Sequence, residues 1–347
     1  MFIGRAFPTI VGSFPGKDHE KAVKLVLKYC PEIPCWPQLP AYPQEGMLIQ
    51  FSKGLPGFNP EKLILDPTDA NFEPQMLQFY EEYLAVKEAG KPVTESFFAL
   101  TPEEARGLFC LKEKLAGAKP LAVKGQVTGP FTLATGLKTP DGKACFYDST
   151  LRDIITKQVA LKAAFQVDLL KELEVPVIIF LDEPALAGFG SSSFVGVSRE
   201  EVLAVLGEVA EEIKARGGIV GVHVCANTEW DLLVEAGIDI LNFDAFDYLD
   251  RFLLYTKDIV TLLNKKGNIA WGIIPTLKPE ALKESSAESL AKQLENAFEK
   301  LTKEGSLSIQ QVVEQAIITP SCGMGTLPED LVEQALSLLK EVSSILR

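Results

Sequence analysis

The feature that most constrains the fold is the alternation, along the whole chain, of short apolar segments with longer segments of helical periodicity. This alternation is typical of a parallel sheet whose strands are connected by helices. Eight such units in 347 residues predict a single (β/α)8 barrel over residues 1–347, with a doubly wound open sheet as the alternative. The predicted strands are 9–13, 93–97, 121–128, 177–181, 219–225, 240–243, 269–274 and 316–319.

One segment, residues 31–60, does not follow the repeat. It is rich in proline and aromatic residues, as in the run from Cys35 to Pro43. Long connections without helical or strand periodicity are usually functional loops. We therefore predict an N-terminal loop extension beside the first strand, acting as a lid over the barrel mouth.

Composition excludes several classes of function. A formal net charge of -13 disfavours nucleic acid and anionic membranes as partners, because both carry negative charge. No apolar run reaches the roughly 18 residues of a membrane-spanning helix, so we expect a cytoplasmic protein. In that compartment the six cysteines are expected to be free thiols or metal ligands. With His19 and His223 as the only two histidines, a tri-histidine metal site is excluded.

Metal-ligating residue types follow three of the predicted strands. His223 and Cys225, two residues apart on a strand, point to the same side, Cys322 follows the last strand, and Asp244 ends the sixth. Because the active site of such a barrel lies at the carboxyl ends of its strands, these side chains form a zinc-like set. The alternative interpretation is that the cysteines are small buried side chains and that Asp244 begins an acidic, solvated helix.

Other strand ends carry groups suited to binding a small substrate. Asp182 and Glu183 directly follow an apolar strand, where they suit an ammonium ion or acid–base work, or act as helix-capping acids. The loop at Ser13 offers a hydroxyl and backbone N–H groups for a carboxylate, or forms a plain turn. Gln126, on the predicted third strand, is also taken as a substrate-binding candidate.

Five short motifs, in order along the chain, resemble the catalytic C-terminal barrel of cobalamin-independent methionine synthase. That barrel belongs to a superfamily with uroporphyrinogen decarboxylase and the zinc-dependent corrinoid:thiol methyltransferases. The motifs are Gly12-Ser13-Phe14-Pro15, Thr128-Gly129-Pro130, Asp182-Glu183-Pro184-Ala185-Leu186, His223-Val224-Cys225 and Cys322-Gly323.

The resemblance implies a zinc ion held by three soft ligands and one acid. The acid is Asp244 by strand alignment, with Asp247 second; the family has a glutamate there. The resemblance also implies that Asp182 binds the amino group of homocysteine and Ser13 its carboxylate, with no catalytic residue separate from the zinc site. The three soft ligands are His223, Cys225 and Cys322.

Three departures from the family concern the methyl donor. The chain has one barrel where the full synthase has two, Ala187-Gly188 replaces an arginine and an acid that contact the folate, and the seventh strand (269–274) lacks the family's histidine. Methylfolate leaves as an amine that requires a proton, whereas a methyl-corrinoid leaves as Co(I) without one. We therefore predict methyl transfer to a thiol, most simply homocysteine giving methionine, from methylcobalamin or a methyl-corrinoid protein.

Four alternatives remain open at this stage. They are a 5-methyltetrahydrofolate-dependent methionine synthase, a methyltransferase for coenzyme M, a uroporphyrinogen decarboxylase-like enzyme, and a zinc- or corrinoid-binding protein without turnover. The decarboxylase is disfavoured because none of the seven arginines lies in the first exit loop. Coenzyme M is disfavoured because Asp182 suits an amine rather than a sulfonate.

Overall fold

The computed structural model describes residues 2–305 and 307–347 and has a parallel sheet of seven strands. The sheet order is β1-β9-β8-β7-β6-β5-β4, and a separate antiparallel pair, β2 and β3, lies in the N-terminal extension. The predicted α/β architecture with parallel strands is confirmed. The strands are β1 (Phe7–Pro8), β2 (Phe58–Asn59), β3 (Ile64–Leu65), β4 (Val123–Thr128), β5 (Val177–Asp182), β6 (Ile219–Val224), β7 (Ile240–Asp244), β8 (Asn268–Ile274) and β9 (Ala316–Pro320).

The gap between the first and last strands of this sheet, β1 and β4, is bridged by the 34–38 segment. Cys35 pairs in parallel with Lys124 of β4, and Gln38 pairs in parallel with Ser13, which follows β1. Backbone bonds from Gln38 N to Gly12 O (3.1 Å) and from Trp36 N to Lys124 O (3.3 Å) hold the segment in place. The barrel thus closes through an eighth, irregular strand position.

This closure corrects two sequence predictions. The sequence predicts the second strand at 93–97, but Val93–Glu95 is a short 3-10 helix in which Glu95 N bonds to Pro92 O. It also predicts a loop throughout the 31–60 segment, yet the first part of this segment forms the barrel wall. Prolines at positions 34 and 37 lack the N–H that a ladder needs, which is why the wall here consists of isolated bridges.

The rest of the N-terminal extension lies at the barrel mouth, as predicted. Thr128 ends β4, and its hydroxyl donates to the backbone oxygen of Met47 (2.7 Å). His19, at the start of the first helix, is buried, and its ring Nε2 lies 2.6 Å from a carboxylate oxygen of Glu45 in the extension. The extension is therefore tied to the carboxyl end of a barrel strand and to a helix of the outer ring.

Helices surround the sheet between the strands. The helical segment between β7 and β8 is divided into two helices by a 3-10 turn, Leu253–Tyr255. The helices are α1 (His19–Tyr29), α2 (Met47–Gln50), α3 (Phe72–Lys87), α4 (Arg106–Lys114), α5 (Pro130–Gly136), α6 (Ser149–Lys171), α7 (Arg199–Ala215), α8 (Trp230–Glu235), α9 (Ala245–Phe252), α10 (Thr256–Asn264), α11 (Pro279–Glu284), α12 (Ala287–Gly305), α13 (Ile309–Glu314) and α14 (Glu329–Leu346).

The barrel interior is apolar at one end and polar toward the mouth. A cluster of buried apolar side chains, including Ile178, Ile240 and Ile317, fills the end where the strands begin. Further along the same strands the interior holds buried polar side chains, among them Gln126 and Asn242. None of the helices in the described ranges is long and apolar enough to cross a membrane.

Candidate metal centre

The carboxyl end of β6 presents His223 toward the barrel interior. Its side chain is buried, and its ring Nδ1 lies 2.6 Å from Oδ1 of Asn242 on the neighbouring strand. The other ring nitrogen, Nε2, has no hydrogen-bond partner among the described residues. An unpaired nitrogen in a buried place is costly unless something binds it, so this atom is available to a metal ion.

Cys322 reaches the same place from the loop that follows β9. Ser321 N bonds to Ile274 O (2.8 Å), and the hydroxyl of Thr276 donates to Cys322 O (3.0 Å), which ties this loop to the end of β8. The ligand atoms of His223, Cys225 and Cys322 all lie within 4.8 Å of one another. Three of the four predicted metal ligands are therefore brought together.

The Cys225 and Cys322 thiols are joined by a hydrogen bond that changes the pKa of both. The pKa of the Cys225 thiol is held well below its usual value, first by the hydrogen bond from the Cys322 thiol and also by His223. The pKa of the Cys322 thiol is correspondingly raised, because the neighbouring thiolate holds its proton and because it is buried. The lowered pKa favours the thiolate form of Cys225, and a thiolate is the form of cysteine that binds metals.

The acid predicted as fourth ligand, Asp244, ends β7 and is buried near the same edge. In this structure its carboxylate accepts a hydrogen bond from Asp247 N (3.0 Å) and so caps α9. Burial raises the pKa of the Asp244 carboxyl to about 6. Asp247, the second choice, pairs with Lys278 (2.6 Å). Neither acid belongs to the group of ligand atoms formed by the thiols and the imidazole, so the fourth ligand stays a prediction.

Asp182, the predicted amine-binding residue, ends β5 directly beside the histidine. It is the register partner of His223 on one side and of Thr128 on the other. Its side chain is buried, and Oδ1 has no hydrogen-bond partner in the described parts of the chain. Burial raises the pKa of its carboxyl to about 6, and the charge of Lys124 offsets part of that rise. An unsatisfied buried carboxylate suits a ligand that brings a positive charge.

Glu183, next in the chain, has a structural role that the sequence analysis left open. Its two carboxylate oxygens accept hydrogen bonds from Phe131 N (2.9 Å) and Thr132 N (2.7 Å) at the start of α5. Burial nonetheless raises the pKa of this carboxyl to about 7. A Cβ on Gly129 would overlap the Glu183 carboxylate, which explains the glycine of the Thr-Gly-Pro motif. Glu183 thus anchors the end of β5, where Asp182 lies, to the neighbouring helix.

Ser13 lies against the loop that carries Cys322, although the two are far apart in the sequence. Its hydroxyl oxygen accepts from Gly325 N (3.2 Å), and its backbone oxygen accepts from Met324 N (2.8 Å). Gly323 approaches so closely that a Cβ there would overlap the Ser13 hydroxyl. The hydroxyl hydrogen stays free to donate, as the binding of a carboxylate requires.

Gln126 is placed in the barrel interior beneath the mouth, and its amide already has partners. Its Oε1 accepts from the Cys35 thiol (3.0 Å), and its Nε2 donates to Trp36 O (3.0 Å). Both partners belong to the 34–38 segment, so Gln126 helps to hold the irregular strand position. Its role in substrate binding stays a prediction.

Known proteins with similar sequences or folds include methionine synthases. No family model matches the chain. The methionine synthase of Methanocaldococcus jannaschii is 28% identical over 226 residues, and the chain spans 65% of the length of that relative, with 65% of its own residues matched. A solved B12-independent methionine synthase from Shewanella sp. W3-18-1, in complex with selenomethionine, matches 69% of this chain and 65% of its own with 17% identity and a TM-score of 0.47. A GH113 β-mannanase from Alicyclobacillus acidocaldarius matches 72% of this chain and 80% of its own with 9% identity and a TM-score of 0.34.

Fold and site together define an α/β barrel protein with an imidazole–thiolate centre at the carboxyl ends of its parallel strands. In sequence the chain is similar to a methionine synthase over 65% of its length. Each of the five ordered motifs lies at the carboxyl end of a strand or in the loop that follows it.

Proposed function

We propose that this chain is a zinc-dependent methyltransferase that transfers a methyl group to the thiol of homocysteine and so produces methionine. The observation that carries the proposal is the convergence of the ligand atoms of His223, Cys225 and Cys322 within 4.8 Å. A relative named methionine synthase supports the same activity.

The residues present fit a zinc ion. Thiolate sulfur and imidazole nitrogen are the ligands that Zn²⁺ prefers, and an unpaired Nε2 beside a thiolate is what such a site offers. His223, Cys225 and Cys322 would hold the ion, with Asp244 or the substrate thiol in the fourth position. When bound, Zn²⁺ lowers the pKa of a coordinated thiol so that the substrate reacts as a thiolate at neutral pH.

The chain itself orients the amino acid. The buried Asp182 carboxylate receives the substrate ammonium group, and the resulting ion pair relieves the cost of burying the carboxylate alone. The free hydroxyl hydrogen of Ser13 donates to the substrate carboxylate. Both groups stand beside residues of the metal centre, Asp182 opposite His223 and Ser13 against the Cys322 loop. An amino acid held by both its ammonium and its carboxylate group presents its thiol sulfur in one direction. This orientation reduces the entropic cost of methyl transfer.

For the donor we propose a methyl-corrinoid, free methylcobalamin or a corrinoid protein. The S–C bond forms as the Co–C bond breaks, cobalt keeps the electron pair and leaves as Co(I), and the thiol proton goes to solvent. Support comes from two stretches of sequence: Ala270 to Ile274 on β8 includes no histidine to protonate a leaving amine, and Ala187-Gly188 after β5 provides no folate contact.

A side-by-side assay tests acceptor and donor together. Purified zinc-loaded protein receives homocysteine with either methylcobalamin or methyltetrahydrofolate, and methionine is quantified. We expect turnover with methylcobalamin, and turnover with methyltetrahydrofolate alone would contradict the donor proposal. Replacing homocysteine by coenzyme M tests the acceptor, and methylation of coenzyme M in preference to homocysteine would contradict it.

A matched pair of cysteine variants tests whether metal and activity belong together. Cys322→Ser removes a soft ligand, and we expect loss of bound zinc together with loss of methyl transfer. Cys110→Ser changes a half-buried thiol outside the metal centre and should change neither quantity. Methyl transfer that persists in zinc-free Cys322→Ser would overturn the proposed mechanism.

A further inference from the structure

A chain of hydrogen bonds behind His223 crosses the neighbouring strands. Asn242, on β7, is fully buried, and its Oδ1 lies 2.6 Å from His223 Nδ1. Its Nδ2 donates to the backbone oxygen of Ala270 on β8 (2.8 Å) and to the hydroxyl of Thr319 on β9 (2.8 Å). Four consecutive strands thus meet at one amide, which contacts Nδ1 of the imidazole and leaves Nε2 without a partner among the described residues.

The backbone register of the barrel creates this chain. Asn242 is the register partner of His223 on one side and of Ala270 on the other. Side chains at paired positions of neighbouring parallel strands lie side by side on the same face of the sheet. The amide is therefore held in place by the ladder itself.

The orientation of the amide follows from elementary donor and acceptor chemistry. The oxygen of Ala270 can only accept, so the amide group that faces it must be the NH2 group. The amide oxygen of Asn242 then faces the imidazole and can only accept. Nδ1 of a neutral His223 must therefore carry the hydrogen, which leaves the lone pair on Nε2.

We propose that Asn242 is a positioning residue that fixes the tautomer and the ring orientation of His223, so that the Nε2 lone pair faces the two thiols. The inference rests on the proposed metal centre. A free histidine side chain prefers the opposite tautomer, with the hydrogen on Nε2, so the asparagine acts against an intrinsic preference. Residues behind a ligand commonly tune metal affinity in this way.

The tautomer can be measured directly without metal or substrate. The protein has only two histidines, so two-bond ¹H–¹⁵N correlation spectra of the ¹⁵N-histidine-labelled, metal-free chain contain two ring systems, assigned with His223→Gln. The spectra are recorded at about pH 9, well above the ordinary pKa of a histidine side chain. We expect His223 to carry its hydrogen on Nδ1 in the unmodified protein. A hydrogen on Nε2 would overturn the proposal without any variant.

Two alanine variants separate positioning from simple loss of a buried amide. Asn242→Ala removes the acceptor, and we expect the hydrogen of His223 to move to Nε2. Asn268→Ala is the matched control, since Asn268 is equally buried on β8 but bonds to Gly4 N (2.9 Å) on the far side of the barrel. The control should leave the tautomer of His223 unchanged.

Zinc affinity, measured by competition with a chromophoric chelator, is the second readout. We expect Asn242→Ala to bind zinc about 10- to 100-fold more weakly, the range known for residues behind metal ligands, and Asn268→Ala to bind it normally. Unchanged affinity in a folded Asn242→Ala protein would overturn the proposal. If the unmodified protein bound no zinc, the proposed function would fail, while the tautomer measurement would still decide the role of Asn242.

Discussion

Asp182 and His223 stand opposite each other on the adjacent parallel strands β5 and β6, and each has one buried polar atom without a partner in the described ranges. For Asp182 the atom is an anionic oxygen, and for His223 it is a nitrogen lone pair. A ligand that has a positive charge at one end and a metal-binding sulfur at the other satisfies both. The pair therefore fits the proposed acceptor, an amino acid with a thiol side chain, and it provides the first test.

Replacement of Asp182 by asparagine should weaken substrate binding and leave the metal in place. The side chain keeps its shape but loses its charge, and a hydrogen bond to a charged group contributes about 1.5–3 kcal/mol, so KM for homocysteine should rise about 10- to 100-fold. KM and zinc content are measured on the same preparation. Asp141→Asn is the control, because that exposed residue pairs with its neighbours Lys143 and Thr139, outside the site. An unchanged KM would remove Asp182 from the substrate site.

Asparagine variants of Asp244 and Asp247 identify the fourth zinc ligand. In Asp244→Asn the new amide oxygen can still accept the hydrogen bond from the backbone N–H of residue 247 that begins α9, so this variant removes the anionic oxygen with little effect on the helix. We expect zinc affinity to fall at least about tenfold in this variant and to stay unchanged in Asp247→Asn. The opposite pattern in chelator competition would assign the ligand to Asp247.

The contact between Gly129 and Glu183 predicts a strong effect from a single methyl group. Gly129→Ala places a Cβ on the Glu183 carboxylate, and overpacking of this kind costs about 1–3 kcal/mol of the free energy of unfolding. Gly207→Ala, in α7, is the matched control. No described atom lies near its Cβ position, so this variant should gain about 0.5–1 kcal/mol.

Urea unfolding in the Glu183→Ala background checks the cause of the Gly129 effect. Because the carboxylate is then absent, the penalty of Gly129→Ala should largely disappear. An equal penalty in both backgrounds would show that the destabilisation arises elsewhere.

The buried lysine of α6 predicts a dependence of stability on pH. Lys162 is 1% exposed, and burial lowers the pKa of its ammonium group from 10.5 to about 8, with Glu104 opposing part of the shift. Between these two pH values the unfolded chain binds the proton and the folded chain does not, so the free energy of unfolding rises with pH in this window. At neutral pH the protonated lysine therefore destabilises the fold, by an amount on the order of 3 kcal/mol.

Lys162→Met should accordingly raise the free energy of unfolding by about 1–3 kcal/mol at neutral pH, and the gain should shrink as the pH approaches about 10. Lys157→Met, on the same helix, is the control. Its ammonium group pairs with Asp153 (2.5 Å) and Glu208 (3.3 Å), so its removal brings no gain. A gain that is independent of pH would contradict the explanation by charge.

The sequence predicted those site residues that can be recognised from their position directly after an apolar strand segment. Apolar segments precede His223, Cys225 and Cys322, and functional residues of such barrels lie at the carboxyl ends of the strands. Asn242 could not be recognised in the same way. Its role depends on which residues lie opposite it across two strand pairs, and register is not visible in one strand alone.

The error in the second strand has a related cause. Valine and phenylalanine favoured a strand at 93–97, whereas the true wall segment contains Pro34 and Pro37, which are unfavourable in a central strand. Tertiary contacts, rather than strand propensity, determine which segment forms this part of the barrel wall. Lys124, deep in the barrel, donates to Val11 O (2.6 Å), and Gln126 bonds to Cys35 and Trp36, so side chains replace the missing ladder bonds.

The two halves of the site therefore differ in how many backbone hydrogen bonds support them. The imidazole and its supporting asparagine lie on β6 and β7, and the thiols follow β6 and β9. The ladders of these strands, with one irregularity between Gly272 and Ile274, resist local opening. Ser13 lies at the seam where Gln38 forms an isolated bridge, and few backbone bonds must break for this edge to move. Amide hydrogens along the seam should exchange sooner than those of β7 or β8. Under the proposed function, the amino acid would enter and leave along this seam while the residues proposed to hold the ion keep their geometry.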